Sequence, residues 1–582
     1  MGRQQVRQSQ FLITYGPGAL LESIHGPRMI LHPDCGYFPD RVDPQEREIS
    51  AGRLAAMLDG RVYRLPGVHD PPWPTRPFPK WAICTEHSIL YARDCPECGP
   101  GGRGKRRVQA VRFLMACSRG HLDEVSWHSL IHGRGSQCQH RDWFHWFGGV
   151  SRIRDLRVRC PLCGADASLA RLYEGRWPCS GRFPERERPE DPPTRTGCDH
   201  HAVLVQRQAS NLYVPDIEAI FTLPPAHTRL HQLLQIPAIM AVLQSLDAPV
   251  PGREESWLKD FTGRLQRLAT RQPRLWDAVE NIRRAASDDP RRVIRACLEL
   301  LEPPPGSREE LLHAEMQALL SAATHGAAWD PDAGFEITPQ RAGAADGPGV
   351  RLRAVPIPRL RVLMVKRGYF RMVDPQRSAT RVDVSWRDAG GTKWYPGLDY
   401  PGEGILITLD SDAHPGLRHP PLQGNAAREW NRARTDRRYD ELVCTPAHVE
   451  LHPVFVWWHT LSHLLIRAIA IHSGYGAASI RERVYLREES EGATGALVLY
   501  TAQPGTDASM GGLVALAPRF QEIVDLAVDA MLYCSNGSLC DERRFSAGST
   551  SGASCYACTV LPETSCEHRN LWLDRQILLE NA

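Results

Sequence analysis

At 582 residues the chain is too long for one hydrophobic core, and length alone predicts about three to five domains. A formal charge of +3, with 24% charged and 42% apolar residues, is ordinary for a soluble globular protein and excludes one whose overall field attracts nucleic acid. Any affinity for DNA or RNA then has to come from local basic patches.

No stretch approaches the run of about 20 apolar residues that crosses a bilayer. The start, Met1-Gly-Arg-Gln-Gln-Val-Arg, lacks the apolar core of a signal peptide. Val6 stands where a myristoylation motif has Ser or Thr. The expectation is a cytoplasmic protein with no membrane partner. Of seventeen cysteines, all but Cys35, Cys297 and Cys444 fall between Cys84 and Cys198 or between Cys534 and Cys566. Clustered Cys-x-x-Cys pairs in such a chain favour zinc over disulfides.

Residues 1–80 form an N-terminal segment. Its Gly16-Pro-Gly18 corner between apolar runs reads as a tight turn, and Pro71-Pro-Trp-Pro with Pro77 reads as an extended linker. Residues 81–210 are a zinc-ribbon region. Cys84-x-x-His87 with Cys95-x-x-Cys98 has paired-knuckle spacing, each pair placing two soft ligands on one side of a tetrahedral ion. Cys160-x-x-Cys163 with Cys179 and Cys198 repeats the logic over longer gaps. Cys117, His121, His132 and Cys138 could close a third site, or be buried thiols and ordinary polar histidines. The stretch Gly99-Pro-Gly-Gly-Arg-Gly104-Lys105 nearly spells a P-loop, but Arg106 occupies the position of the magnesium-binding Ser or Thr. It reads as a basic loop, with Arg103, Lys105, Arg106 and Arg107 able to touch phosphates or simply solvated.

Residues 211–349 are a helical region plus linker. Leu230–Leu246, Trp257–Leu268, Leu275–Ala286, Val293–Leu301 and Leu311–Ala322 carry apolar residues at helical spacing. The Ala/Gly/Asp/Pro-rich run from Ala323 to Gly349 reads as a linker or loop. Residues 350–445 are strand-rich and basic, with strands at Arg359–Val365, Gly368–Phe370 and Gly404–Leu409. Arg359 and Arg361, then Arg432, Arg434, Arg437 and Arg438 around Trp430, suit a nucleic-acid backbone with base stacking. A solvated helix face with one packed tryptophan has the same pattern.

Residues 446–582 form a C-terminal α/β unit. His459 and His463 are spaced i, i+4, on one face of a helix, but Thr460 stands where a zinc protease has its glutamate base. The pair reads as packed or hydrogen-bonded histidines. A strand is expected at Ala496–Tyr500 and a helix at Phe520–Leu532. Cys555-x-x-Cys558 is the core of a closing zinc site, with Cys534 and Cys540 as the other ligands and Cys566 as substitute or neighbour. An all-cysteine site leaves no open position, so its role is structural. The fold class expected is multidomain α+β: N-terminal zinc-ribbon modules, a central helical region, and a C-terminal α/β unit closed by a cysteine zinc site. No residue is singled out as catalytic.

Several stretches together resemble the DrmB family of the DISARM antiphage systems. They are Tyr15-Gly-Pro-Gly-Ala19, Ala116-Cys-Ser-Arg-Gly-His-Leu-Asp123, Ala209-Ser-Asn-Leu-Tyr-Val-Pro215 and Gly402-Glu-Gly404, then His459-Thr-Leu-Ser-His-Leu-Leu465, Tyr475-Gly-Ala-Ala-Ser-Ile-Arg-Glu-Arg483, and Cys555-Tyr-Ala-Cys558 through Leu573-Asp-Arg575. The C-terminal end also resembles the zinc-binding domain of MrfA-type DNA-repair helicases, in which four cysteines hold the metal. His87 departs from the cysteine more usual in relatives, and a Cys/His mixture still suits zinc. The resemblance implies a non-enzymatic subunit that joins a DrmA-type helicase to bind and recognise foreign DNA. The alternatives are an accessory subunit of a DNA-repair helicase, or a metal-dependent nuclease built on His459, His463 and Asp507.

Overall fold

The computed structural model describes residues 5–580 apart from 25, 37–43, 50–52, 68, 100–107, 134–135, 149–154, 189, 224–228, 248, 250–251, 302–305, 331–333, 375–377, 490–491 and 502–510. The chain forms two compact units, each gathered from segments distant in sequence rather than from five consecutive blocks. One comprises Met1–Ile49, Gly60–Glu218 and Met364–Leu398; the other Ser50–Asp59, Ala219–Leu363 and Asp399–Ala582.

The first unit is built largely of strands only a few residues long, each burying little by itself. Sheets of three, four and six strands hold them. A core of Trp127, Leu130, Phe144 and Val158 takes in the thiol residues Cys117, Cys160 and Cys179. Residues 71–77 are not a free linker. Thr75–Pro77 pairs with Gly26–Ile30, and Trp73 packs against Phe11 and Trp386. The aromatic residue in the Pro-rich run gives it something to bury. At the Gly16-Pro-Gly18 corner, Gly18 has φ +86°, and a Cβ there would meet the Tyr369 ring at 2.7 Å. Its carbonyl accepts from Arg371, whose buried guanidinium also donates to the carbonyls of Gly120 and Leu212. One cation thus pins three loops.

In the second unit the expected helices form, with one correction. Leu230–Leu246 is two helices, Arg229–Leu234 and Pro237–Gln244. Pro237 has no N–H to continue the first, and instead takes the opening turn of the second. The helices Glu254–Arg271, Trp276–Asp288 and Pro290–Leu301 pack with these around Phe261, Leu265, Ile282 and Val293. The run from Ala323 to Gly349 is not a linker: it holds strands Ala327–Asp330, Phe335–Ile337 and Gly343–Asp346. Its small residues permit close packing, and Gly343 lies so near the Ala517 carbonyl that a Cβ has no room.

The centre of this unit is helix α1, Pro453–Ser473, followed by the hairpin β1, Ile480–Glu489, and β2, Gly492–Thr501, and then helix α2, Phe520–Leu532. The Val454 N–H donates to Nδ1 of His452 at 3.1 Å, Pro453 sits in the first turn, and Gly474 ends the helix with φ 72°. At 21 residues α1 is long and apolar enough to cross a membrane by length and composition, contrary to the expectation from sequence. In the fold it is a core helix, with 83% of its apolar window buried.

Capping by His452 carries a pH dependence. Burial, helped by nearby Arg434, lowers the imidazole from 6.5 to about 3. The folded unit therefore keeps this ring neutral where the unfolded chain would protonate it. Stability from this group is intact above about pH 6.5 and falls by up to about 1.4 kcal/mol per pH unit as pH drops toward 3. Urea midpoints measured across that range should show the slope, and His452→Asn, which keeps an N-cap acceptor, should reduce it by this group's share and leave that of buried His459.

Candidate metal centres

Among the described residues, the thiol and imidazole side chains include four sets that each bring their ligand atoms within 4.8 Å of one another. In the first unit, Cys84 ends the strand Ala82–Cys84 and His87 follows in the hairpin to Ile89–Tyr91. Nδ1 of His87 lies 3.5 Å from Cys84 Sγ, 3.7 Å from Cys95 Sγ and 3.3 Å from Cys98 Sγ. A tetrahedral zinc with ordinary bond lengths separates nitrogen from sulfur by about 3.5 Å and sulfur from sulfur by about 3.8 Å. Cys84 and Cys98 are 3.8 Å apart. The residues fit the ion.

The other two sets of this unit exchange the partners expected from sequence. Cys117 and His121 assemble with Cys179 and Cys198; His132 and Cys138 assemble with Cys160 and Cys163. Sheet membership is the reason. Cys179 and Cys198 lie opposite each other in the four-stranded sheet, whose strand Phe113–Ala116 leads into Cys117. The Cys160 knuckle joins strands Arg157–Arg159 and Asp166–Ser168 of the six-stranded sheet, beside the strand that follows Cys138. Nδ1 of His121 is 3.3 Å from Cys117 Sγ and 3.6 Å from Cys179 Sγ, and Cys138 is 3.8 Å from Cys160. Nδ1 of His132 faces the His128 carbonyl, which leaves its buried Nε2 as the ligand atom.

In the second unit the four sulfurs are those of Cys534, Cys540, Cys555 and Cys558, which settles which of the five cysteines belong together. Spacings of 3.4, 3.6 and 3.7 Å are far too long for a disulfide and close to those of four thiolates around one zinc. Although burial pushes the other way, contacts with Cys534 and the Ala557 N–H lower the Cys555 thiol to about 6. Arg575, itself buried, lies 3.5 Å from Cys540 Sγ and donates to the Met531 carbonyl and Asp541. It offsets part of the negative charge of a four-thiolate site and ties the site to the end of α2. Cys566 stands apart, with His459, His463 and Glu482.

The basic groups look different in the fold. Arg103, Lys105, Arg106, Arg107 and Asp507 lie outside the described residues. Arg361 pairs with Asp399, Arg432 with Glu429, Arg434 with Glu488 and Arg438 with Asp436, while Arg359 lies over the Trp329 ring and Arg437 is exposed. Trp430 does not offer a stacking platform. It is fully buried, stacked on Phe545 at 3.7 Å, and donates to Asp574 at 3.0 Å. Trp430→Ala should therefore lower stability by about 3–5 kcal/mol, as a thermal melt would show, with no specific loss of nucleic-acid affinity in the protein that remains folded.

Comparison with known proteins matches these centres to two families. Residues 7–214, which include all three sets of the first unit, match a family described as a domain of unknown function, DUF8724. Residues 461–559, which include all four clustered cysteines of the second, match the MrfA Zn-binding domain. The DISARM protein DrmB of Bacillus paralicheniformis is 24% identical over 96% of this chain and 98% of its own. A crystal structure of the DUF1998 helicase MrfA bound to DNA aligns with 34% of this chain and 20% of its own at 10% identity and a TM-score of 0.19, too slight a likeness to carry fold or function. The chain is a DrmB-like protein that carries an MrfA-type zinc-binding domain, with zinc as the metal its cysteine centres fit.

Proposed function

We propose that this chain is a non-catalytic, zinc-binding component of a DISARM antiphage system, which joins a DrmA-type helicase and helps it bind and recognise foreign DNA. The observation that carries the reading is the likeness to a DISARM protein along nearly the whole of both chains. The zinc centres support it as devices that fix shape: their ligands are complete sets of four, the arrangement of structural rather than catalytic zinc. Exposed Arg437 and the cations around it are candidate phosphate contacts, weakened by the acidic partners named above. A nuclease centred on His459 and His463 is disfavoured because both rings are 0% exposed, out of reach of a phosphodiester.

The test is a tagged pull-down from the native host, with metal analysis of the eluate and a phage challenge of the deletion strain. Copurification of a large helicase with a zinc-loaded chain, and higher phage plating on the deletion strain, are the expected results. A zinc-loaded chain with no helicase and unchanged plating would overturn the proposal.

A further inference from the structure

Apart from the four-cysteine site, the second unit gathers four more ligand-type side chains at its core. His459 and His463 stand one turn apart on α1, Glu482 lies on β1, and Cys566 follows the four-cysteine loop. Both histidines and the glutamate are 0% exposed, and Cys566 is 4% exposed. Nε2 of His459 lies 2.9 Å from Glu482 Oε1 and 3.3 Å from Cys566 Sγ; Nε2 of His463 lies 3.3 Å from the same Oε1. The two imidazoles meet at 88° with centroids 4.7 Å apart.

The hydrogen inventory shows what this cluster lacks. Nδ1 of His463 is 2.8 Å from the Thr559 carbonyl. A carbonyl only accepts, so Nδ1 carries the hydrogen, and the neutral ring presents a lone pair at Nε2. That lone pair faces a carboxylate oxygen, which also only accepts. The second oxygen of Glu482 already takes a hydrogen bond from Ser462. Cys566 Sγ accepts backbone N–H groups from His568 and Asn570, each at 3.3 Å. The sulfurs of Cys179 and Cys198 accept in the same way from the residue two positions on. Nδ1 of His459 has no hydrogen-bond partner, so every polar contact of that ring is on the Nε2 side. A neutral His459 can place its hydrogen on Nε2 and donate it to Glu482, but the His463 lone pair still faces a carboxylate oxygen with no hydrogen between them, a costly buried contact unless a cation shares it.

We propose that His459, His463, Glu482 and Cys566 bind a second metal ion in this unit, and that the ion is zinc. A tetrahedral zinc separates nitrogen from oxygen by about 3.3 Å and nitrogen from sulfur by about 3.5 Å, close to the His463–Glu482 and His459–Cys566 spacings, while His459 and Glu482 stand closer than that, at 2.9 Å. Two imidazoles with a thiolate and a carboxylate suit zinc, whereas calcium and magnesium take all-oxygen shells. With all four ligands from the protein and all four buried, the centre is structural: it staples α1, β1 and the C-terminal segment at one point. Thr460 in place of a general base agrees with a site that holds rather than hydrolyses.

The experiment is elemental analysis and native mass spectrometry of the full chain purified without chelator. Glu482→Gln, isosteric and able to keep the Ser462 contact, should lose one zinc per chain relative to the parent while keeping its secondary structure. Cys566→Ser should do the same. Full zinc content in both folded variants would overturn the proposal and leave a protonated His463 paired with Glu482. Should neither variant fold, the parent chain decides. Zinc-edge anomalous scattering from crystals of the parent supports the proposal if a peak lies between His459, His463, Glu482 and Cys566, and overturns it if the four-cysteine site of the same unit is occupied and this one is not.

Discussion

Arg483→Leu is expected to destabilise the second unit by about 3–5 kcal/mol, the cost of leaving buried charges without their partner. The guanidinium is 1% exposed and lies between two carboxylates, Glu315 at 2.8 Å and Glu567 at 2.8 Å, with the Ala219 carbonyl at 2.5 Å. Glu315 also accepts from Tyr485 and from the Phe221 N–H, and Arg308 reaches Glu567 at 3.2 Å. Burial pushes Glu567 up, yet Arg483, Arg308 and Arg481 together hold it down at about 2. Removing the central cation leaves Glu315 without an ion pair among those described and Glu567 short of its closest cation. Adding Glu315→Gln to Arg483→Leu should restore part of the loss, because the two residues form one network. Denaturation midpoints of the single and double variants check this. A single-variant loss below about 1 kcal/mol would mean the network contributes little.

Cys558→Ser should remove one zinc and folded, soluble protein together. The segment from Tyr533 to Arg575 is mostly turns, with one short helix, Ser538–Asp541, among its described elements. It buries Leu561, Trp572 and Leu573 with few regular backbone hydrogen bonds of its own, and Cys534, Cys540, Cys555 and Cys558 draw it together. Structural zinc in small modules contributes about 10–16 kcal/mol of apparent binding free energy that is also folding free energy. A strong chelator should mimic the substitution. The measurement pairs soluble yield with zinc content, and a folded variant with unchanged zinc would remove Cys558 from the ligand set.

Local signals in the sequence were informative where a ligand set is local. Cys84, His87, Cys95 and Cys98 lie within one hairpin and its following turn, and spacing alone groups them. It failed where the sheet chooses partners: nothing in the spacing of Cys117, His132, Cys160 or Cys179 says which strands lie side by side. The helix Phe520–Leu532 was legible from its apolar period, while the strands within Ala323–Gly349 were hidden by small residues that resemble a linker. Trp430 drew attention as an aromatic among arginines, yet the opposite face of its helix is what it packs. Glu482 was missed although Arg481-Glu482-Arg483 interrupts an apolar strand. Three consecutive charges inside a β-run are a signal of buried pairing, and all three are buried here.

The exchange of ligands in the first unit bears on how such a chain acquires its metals. Cys138 and Cys160 are 22 residues apart, and their whole set lies within the 58 residues between His121 and Cys179. The two closures are therefore nested. A newly made chain meeting zinc before its sheets form would join Cys163 to Cys179 more readily than His121 to Cys179, because that loop is less than a third as long. Against His121 alone the bias is about 1 kcal/mol by chain entropy, but Cys198, the native partner of Cys179, is nearly as close to it along the chain as Cys163. Chain entropy then barely distinguishes the native partner from the foreign one, and strand pairing, which sets Cys179 opposite Cys198, is what selects the ligand set.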